Sequence, residues 1–406
     1  MKRPDKKCEV FGLVPNHLDH MKMTSLGCLL LGTGLLWGCV LKKTTSPASN
    51  LGGVPGVETT PVGTGNLPTG TLTKGVNLGN ALDAPTEGKW GVTLVERHFS
   101  LAEALGADHV RLPVRFSAHT GAAPAYTIDP IFLARVDWAM ARAAAHGLSI
   151  IIDWHHYNEL AANPNAERPR FLAVWHQLAE HYASQPDSVV FELLNEPYGQ
   201  LDRNTWGQLA QDALVVVRES NPTRRVIIDG PEWANAPAFG GVVVPDDSNV
   251  ILSFHMYEPH LFTVQGSPWM GTEYSTTGVA FPGPPQVRLA PTAAAAAVPW
   301  VRAWFSQYNT LAPDRNPCAR AAIDSILTAA AEVGARANKP VYLGEFAVVD
   351  WADMNSRVNW LRAVRTKAES LGIGWAVWDD GGHNRFLDVS RNCYVPELRA
   401  ALFPEK

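Results

Sequence analysis

The chain has 406 residues, of which 46% are hydrophobic and 18% charged, and its formal net charge is −5. This composition is ordinary for a globular enzyme and supplies a sizeable core. The mildly negative balance, without a basic stripe, excludes nucleic acid as the expected partner and favours a neutral ligand over a polyanion.

Residues 1–43 read as a targeting segment. Met21-Lys22-Met23 precedes an apolar run from Leu26 to Leu41, which is too short for a membrane span and suits the central region of a signal peptide. The run ends in Leu36-Trp37-Gly38-Cys39, followed by Lys42-Lys43. A small residue before Cys in that setting resembles a bacterial lipoprotein cleavage box, which makes Cys39 the candidate membrane tether. An ordinary signal peptide and an uncleaved anchor are the alternatives. All three export the protein, to the periplasm, the cell surface or the medium. The odd stretch Met1–His20 makes Met21 and Met23 candidate starts. Residues 44–71 are rich in Thr, Pro, Gly and Ser with hardly any charge, the composition of a flexible linker that cannot bury a core.

From Lys74 on, residues 72–406 alternate apolar strand-like runs with helical patterns. The predicted strands are Gly75–Leu78, His109–Pro113, Ser149–Asp153, Val189–Leu194, Arg225–Asp229, Val250–His255, Pro340–Glu345 and Ile373–Trp378. Most are continuous apolar runs, as expected of parallel strands covered on both faces. Between them, Leu133/Val136/Met140/Ala144, Leu172/Trp175/Leu178/Tyr182 and Trp206/Leu209/Ala213/Val217 recur at helical spacing. Eight such units fit a (β/α)8 TIM barrel better than an open sheet. The spacing breaks once, between the sixth and seventh strands. That gap holds Gln265–Asn316, expected as a long loop over the barrel mouth, and then a helix from Ala319 to Asn338. Only Cys318 and Cys393 fall in the folded part. One disulfide and two separate thiols are both compatible with an exported domain, and no metal-ligand spacing surrounds either residue. No cofactor is expected, and a monomer is.

In a barrel, the carboxyl ends of the strands converge on one face. Glu196 and Glu345 sit where buried apolar strands run out, which is a costly place for a carboxylate without a task or a partner. With them come Asn77, Asn80, Asp83 and Trp90 after the first strand, and Arg111 and Arg115 on the second. The third strand supplies Asp153, Trp154, His155, His156 and Tyr157, and the fourth adds Asn195. Glu232 and Trp233 follow the fifth, His255 and Tyr257 the sixth, and Trp378, Asp379 and Asp380 the eighth. Singly each has a bland explanation, Arg111 as an ion-pair partner or Trp378 as core. Jointly they suggest a paired acid and nucleophile.

Five strings occur in family order: Ile152-Asp153-Trp154-His155-His156-Tyr157, Leu194-Asn195-Glu196-Pro197, Phe254-His255-Met256-Tyr257, Gly344-Glu345-Phe346 and Trp375-Ala376-Val377-Trp378. Together they resemble glycoside hydrolase family 5, the retaining (β/α)8 endoglucanases and mannanases. Gly79-Asn80-Ala81-Leu82-Asp83-Ala84-Pro85 with Trp90-Gly91, and Phe262 to Trp269, resemble a bacterial cellulase subgroup, some of whose members also cut mannan. The resemblance covers Lys74 to Pro404.

It implies a retaining endo-β-1,4-glucanase acting on β-1,4-linked polysaccharide, with Glu196 as acid/base and Glu345 as nucleophile. Glu196 would be protonated at working pH, through limited solvation and the nearby Glu345 charge. Glu345 would be held ionised by Arg111 and hydrogen-bonded by Tyr257. Asn195 would bind the sugar 2-hydroxyl, His155, His156 and His255 would bind hydroxyls or orient the carboxylates, and Trp378 would be the stacking floor. Asn80, Asp83, Trp233 and Trp269 are candidates for neighbouring subsites. The loop Asp379-Asp380-Gly381-Gly382-His383 departs from the family pattern and leaves glucan against mannan open. A mannanase or dual enzyme is the nearest alternative. A non-catalytic carbohydrate-binding barrel and a metal hydrolase built on His155, His156 and His255 are more distant ones.

Overall fold

The computed structural model describes residues 72–388 and 393–405, so the targeting segment and linker expected at residues 1–43 and 44–71 lie outside the described residues. Eight parallel strands form a closed barrel: β1 (Lys74–Asn77), β2 (His109–Val114), β3 (Ser149–Trp154), β4 (Val189–Glu192), β5 (Val226–Asp229), β6 (Val250–His255), β7 (Val341–Glu345) and β8 (Gly374–Val377). Each pairs with the next in sequence, and β8 pairs back onto β1 through Gly75 opposite Ala376. All eight predicted strands are present, with ends shifted by at most two residues.

Strand side chains alternate between the two faces with a period of two, and the interior splits into two levels. Ile151, Val190, Ile227, Ile251, Tyr342 and Ala376 form an apolar plug separate from the outer core. Two residues further along four of those strands stand Asp153, Glu192, Asp229 and Ser253, all with no exposed surface. The strands are therefore not apolar throughout. Their inward face turns polar where the barrel opens, because that level carries the site.

The outer layer contains α1 (Glu96–Leu105), α2 (Pro130–Ala145), α3 (Asn158–Ala162), α4 (Pro164–His181), α5 (Arg203–Ser220), α6 (His260–Thr263), α7 (Ala293–Ala296), α8 (Pro299–Thr310), α9 (Arg320–Ala337), α10 (Met354–Ser370) and α11 (Pro396–Leu402). Starts are set by local chemistry. Asp129, Asn163, Asp202 and Asp353 accept from the first free backbone amides of α2, α4, α5 and α10, each cap contributing about 1 kcal/mol. Trp206, Leu209, Ala213 and Val217 of α5 are all buried as predicted. In α2 the buried stripe is Phe132, Val136, Ala139, Met140 and Ala143. It is rotated from the predicted one, leaving Leu133 and Ala144 at its border. The helix predicted over Ala319–Asn338 is α9, ended by Asn338 in the left-handed region at φ 51°.

One expectation needs correction. The stretch between β6 and β7 is not one long loop over the mouth. It contains α7 and α8, and Val301, Phe305 and Tyr308 of α8 are buried at helical spacing. It also packs against α10, where the Phe281 amide donates to Ser356 Oγ at 2.9 Å. Of the two arrangements left open for Cys318 and Cys393, the structure has the one without a disulfide between them: Cys318 is a buried thiol facing the Ala280 carbonyl, and Cys393 lies on a short antiparallel ribbon, Cys393–Tyr394 with Leu387–Asp388. No helix among the described residues is long and apolar enough to cross a membrane.

Candidate active site

Arg111, fully buried on β2, organises the polar level of the barrel. Its Nε and Nη2 donate to Glu192 at 2.8 and 2.6 Å, and Nη2 also donates to Asn195 Oδ1 at 2.7 Å. Nη1 donates to Asn77 Oδ1 at 2.9 Å and to Glu345 Oε1 at 2.7 Å. Asp153 Oδ2 lies 3.0 Å from Nη2. Burial works against the guanidinium charge, and the carboxylates of Asp153, Glu192 and Glu345 more than offset it. A guanidinium offers five N–H donors in a fixed planar fork, against the three rotatable donors of a lysine's point charge. Burial pushes the Asp153 carboxyl well above its ordinary range despite Arg111.

Glu345 ends β7, and its second oxygen accepts from the Tyr257 hydroxyl at 2.9 Å. Glu196 lies four residues beyond β4. Its backbone adopts φ 48°, left-handed and unusual for a residue with a side chain. The Glu196 amide donates to Asp229 Oδ2 at 3.0 Å, which holds this turn. His255 Nδ1 donates to Glu196 Oε1 at 2.8 Å. Oxygens of Glu196 and Glu345 lie within 4.8 Å of each other. The Glu196 side chain keeps 29% of its surface open to the cleft, yet the dense protein around it removes much of its hydration. That desolvation raises its pKa, the His255 hydrogen bond opposes the rise, and the Glu345 charge adds to it. His255 feels the reverse balance. Burial would lower it, but Glu345, Asp229 and Glu196 raise it to about 9, so it is an imidazolium at neutral pH.

The remaining predicted residues separate into those facing the cleft and those spent on structure. The His155 ring stacks on Trp378, with centroids 5.4 Å apart and planes at 7°. Its Nδ1 shares a 2.6 Å hydrogen bond with Asp153, and its Nε2 is 4.0 Å from Glu345. His156 meets Trp90 edge-on at 5.6 Å. Burial lowers both imidazoles, His156 to about 4, so both are neutral donors or acceptors. Asn195 spends its carbonyl on Arg111, and among the described residues its Nδ2 has no hydrogen-bond acceptor. Trp233 is 54% exposed and stacks on Tyr198 at 5.4 Å. It is presented by a left-handed run, Glu232, Trp233 and Ala234, held by Trp233 N to Pro197 O at 3.0 Å and His255 N to Ala234 O at 2.7 Å. Trp269 is 48% exposed and stacks on His383, which itself stacks on Trp351.

Asp83 lies beside His155 and His156, with donor atoms of the three within 4.8 Å of one another. It is 1% exposed, and its Oδ2 accepts from the Asn80 amide at 3.1 Å. Burial raises its pKa to about 7. Asn80 is half-buried, with Nδ2 bonded to the Asp380 carbonyl at 3.0 Å. The departing loop after Trp378 is held from within, since Asp379 and Asp380 accept from the amides of Gly381, Gly382 and Asn384.

Sequence reasoning missed Glu192 and Asp229. Both have no exposed surface, and each touches a residue that it did single out, Arg111 or Glu196. A signal was present, because an acidic residue inside an apolar strand needs a partner. Among the described residues three groups bring metal-type donors within 4.8 Å: Asp83/His155/His156, Glu192/Asp229/His255 and Glu196/His255/Glu345. The three histidines of the expected metal alternative are not grouped together. The two carboxyls at the mouth are instead arranged as a pair of unlike acids, one accepting from an imidazolium and one from a guanidinium and a phenol.

A family model described as cellulase (glycosyl hydrolase family 5) matches residues 73–384. Endoglucanase H of Acetivibrio thermocellus is 33% identical over 307 residues, covering 76% of this chain and 29% of that protein. The chain thus spans under a third of the length of that relative. Endoglucanase Cel5A of the hyperthermophile Thermotoga maritima is 32% identical, with a TM-score of 0.70, covering 82% of this chain and 97% of that one. A second structure of Cel5A from that organism, in complex with mannotriose, is 31% identical with a TM-score of 0.69 over the same shares.

Proposed function

From a chain that belongs to the cellulase family, glycosyl hydrolase family 5, we infer a retaining endo-β-1,4-glucanase in which Glu196 is the acid/base and Glu345 the nucleophile. The observation that carries it is the approach of the two carboxyls, with oxygens within 4.8 Å. Direct attack on the sugar needs about 5–5.5 Å between the carboxyls, whereas an inverting pair leaves roughly 6.5–9.5 Å for a water.

Glu345 attacks the anomeric carbon while Glu196 gives its proton to the departing glycosidic oxygen, which leaves a glycosyl ester on Glu345. Water then enters, Glu196 takes its proton, and the hydroxide displaces Glu345. Glu196 must hold a proton in the first step and lack one in the second, which suits a carboxyl raised by burial and still bonded to the His255 imidazolium. Arg111 and Tyr257 fix the direction of Glu345. Asn195 Nδ2 remains for the sugar 2-hydroxyl, and a contact there strengthens as positive charge grows on the ring. Trp378, backed by His155, offers a flat face to the cleaved sugar.

Glu345→Ala tests the assignment. The variant should stay folded and lose turnover, and azide should restore cleavage of an activated aryl glycoside, giving a glycosyl azide of inverted configuration. Undiminished activity would remove Glu345 from the role. Mannan is the second reading, favoured by the mannotriose complex of the Thermotoga maritima relative. Parallel assays on carboxymethyl cellulose, glucomannan and mannan separate the two. The apolar run ending at Cys39 supports export with a lipid tether. Loss of membrane association in Cys39→Ala cells tests that part.

A further inference from the structure

The insertion after β6 carries aromatic residues that the reaction does not use. We propose that Tyr274 and Trp300 form an outer sugar subsite on it, taking the continuation of the polysaccharide beyond the cleft. The proposal rests on the glucanase reading and extends it to chain length.

Ring contacts run without a break from the catalytic centre onto the insertion. Tyr257, whose hydroxyl touches Glu345, is followed by His260 with ring centroids 6.5 Å apart. His260 is followed by Tyr274 at 6.3 Å, and Tyr274 by Trp300 at 6.2 Å. A single exposed aromatic residue needs no explanation. One that ends a file of rings leading from the nucleophile does: Tyr257, His260 and Tyr274 are half-buried, and Trp300 at the end of the file is 49% exposed.

Trp300 is not required for packing. The buried face of α8 is Val301, Phe305 and Tyr308, whereas Trp300 is 49% exposed. Neither is the platform loose. The Tyr274 carbonyl accepts from the Gly266 amide at 2.7 Å. Its neighbour Ser275 is bonded to Thr292 at 2.7 Å, and the Thr292 amide to Thr276 at 3.0 Å. The file is also uncharged at neutral pH, because burial lowers His260 to about 4. A rigid, neutral surface with apolar faces and polar edges fits a pyranose, whose C–H faces are apolar and whose rim carries hydroxyls.

Trp300→Ala and Tyr274→Ala should be compared with the native chain on cellooligosaccharides from cellotriose to cellohexaose and on a soluble glucan. On the shortest substrate that is cleaved, kcat/KM should be unchanged. On cellohexaose and polymer it should fall about three- to tenfold per residue, chiefly through KM, which is the factor one aromatic contact supplies. Equal losses at every length, or none at any length, would overturn the subsite. Cellohexaose binding to Glu345→Ala, with and without Trp300→Ala, separates this from the reaction itself. Weaker binding in the double variant supports the subsite even where turnover assays fail, and equal affinity overturns it. A native chain that binds cellohexaose and cleaves no glucan would instead overturn the glucanase reading.

Discussion

Arg111→Met tests the central arrangement most severely. Methionine occupies similar volume with little overpacking, so the main loss is the charge. The guanidinium is fully buried, Asp153 and Glu192 have no exposed side-chain surface, and Glu345 has 6%. Removing one partner of a buried ion pair costs about 3–5 kcal/mol, because the other charge is left uncompensated. In a large domain each kcal/mol moves the melting temperature by about 2–4 °C, so a fall on the order of 10 °C is expected at neutral pH. The sign of the pH dependence is fixed as well. The Asp153 carboxyl already sits above its ordinary range, and it rises further once Arg111 no longer opposes burial. The folded variant then keeps a proton that the unfolded chain releases near pH 4, so its stability falls as pH rises above about 4. Thermal melts followed by circular dichroism at pH 4.5 and pH 7 should show the larger deficit at pH 7. Adding Glu192→Gln should restore part of it. A deficit equal at both pH values, or one under about 1 kcal/mol, would refute the picture of carboxylates sharing one cation.

Three further outcomes follow from neighbouring contacts. Asp229→Ala frees the Glu196 amide from its anchor. It should reduce kcat/KM on a glucan by as much as about a hundredfold, and much less on an aryl glycoside with an activated leaving group, which needs no acid; equal losses would show a merely structural role. Gly79→Ala places a methyl group 2.7 Å from the Trp378 ring and 3.0 Å from the Asp379 carbonyl oxygen. Displacing that floor should raise KM about threefold to tenfold, and an unchanged KM would deny Trp378 contact with substrate. His255, followed by carbon-13 imidazole resonances, should titrate near 9, and lower in Glu345→Gln, since Glu345 is the largest influence raising it. Its charge then adds stability that is full below about pH 6.5 and is lost as pH rises through about 9. A midpoint that does not move in Glu345→Gln would remove Glu345 as the cause.

The strands and the acid pair were legible because both leave local marks. Apolar runs of strand length, separated by helical repeats, specify a parallel barrel, and Glu196 and Glu345 stand at strand ends where a carboxylate is conspicuous. Arg111, His155, His255, Tyr257 and Trp378 were legible as polar or aromatic residues at the same level of the barrel. The helix Pro299–Thr310 was missed, although Val301, Phe305 and Tyr308 mark its buried face, because proline and glycine nearby suggest a loop.

What the chain order alone determined was which residues reach the barrel mouth, since the period of two along a strand and the parallel closure decide that without further contacts. Only the tertiary structure decided what each one does there. Asp83 and Asp229 are both acids near strand ends, yet one holds the turn at Asn80 and the other holds the backbone of Glu196. The difference lies in contacts between segments far apart in sequence, such as Arg111 with Glu192 and Glu345. Those contacts set burial and charge, and burial and charge set which carboxyl keeps its proton.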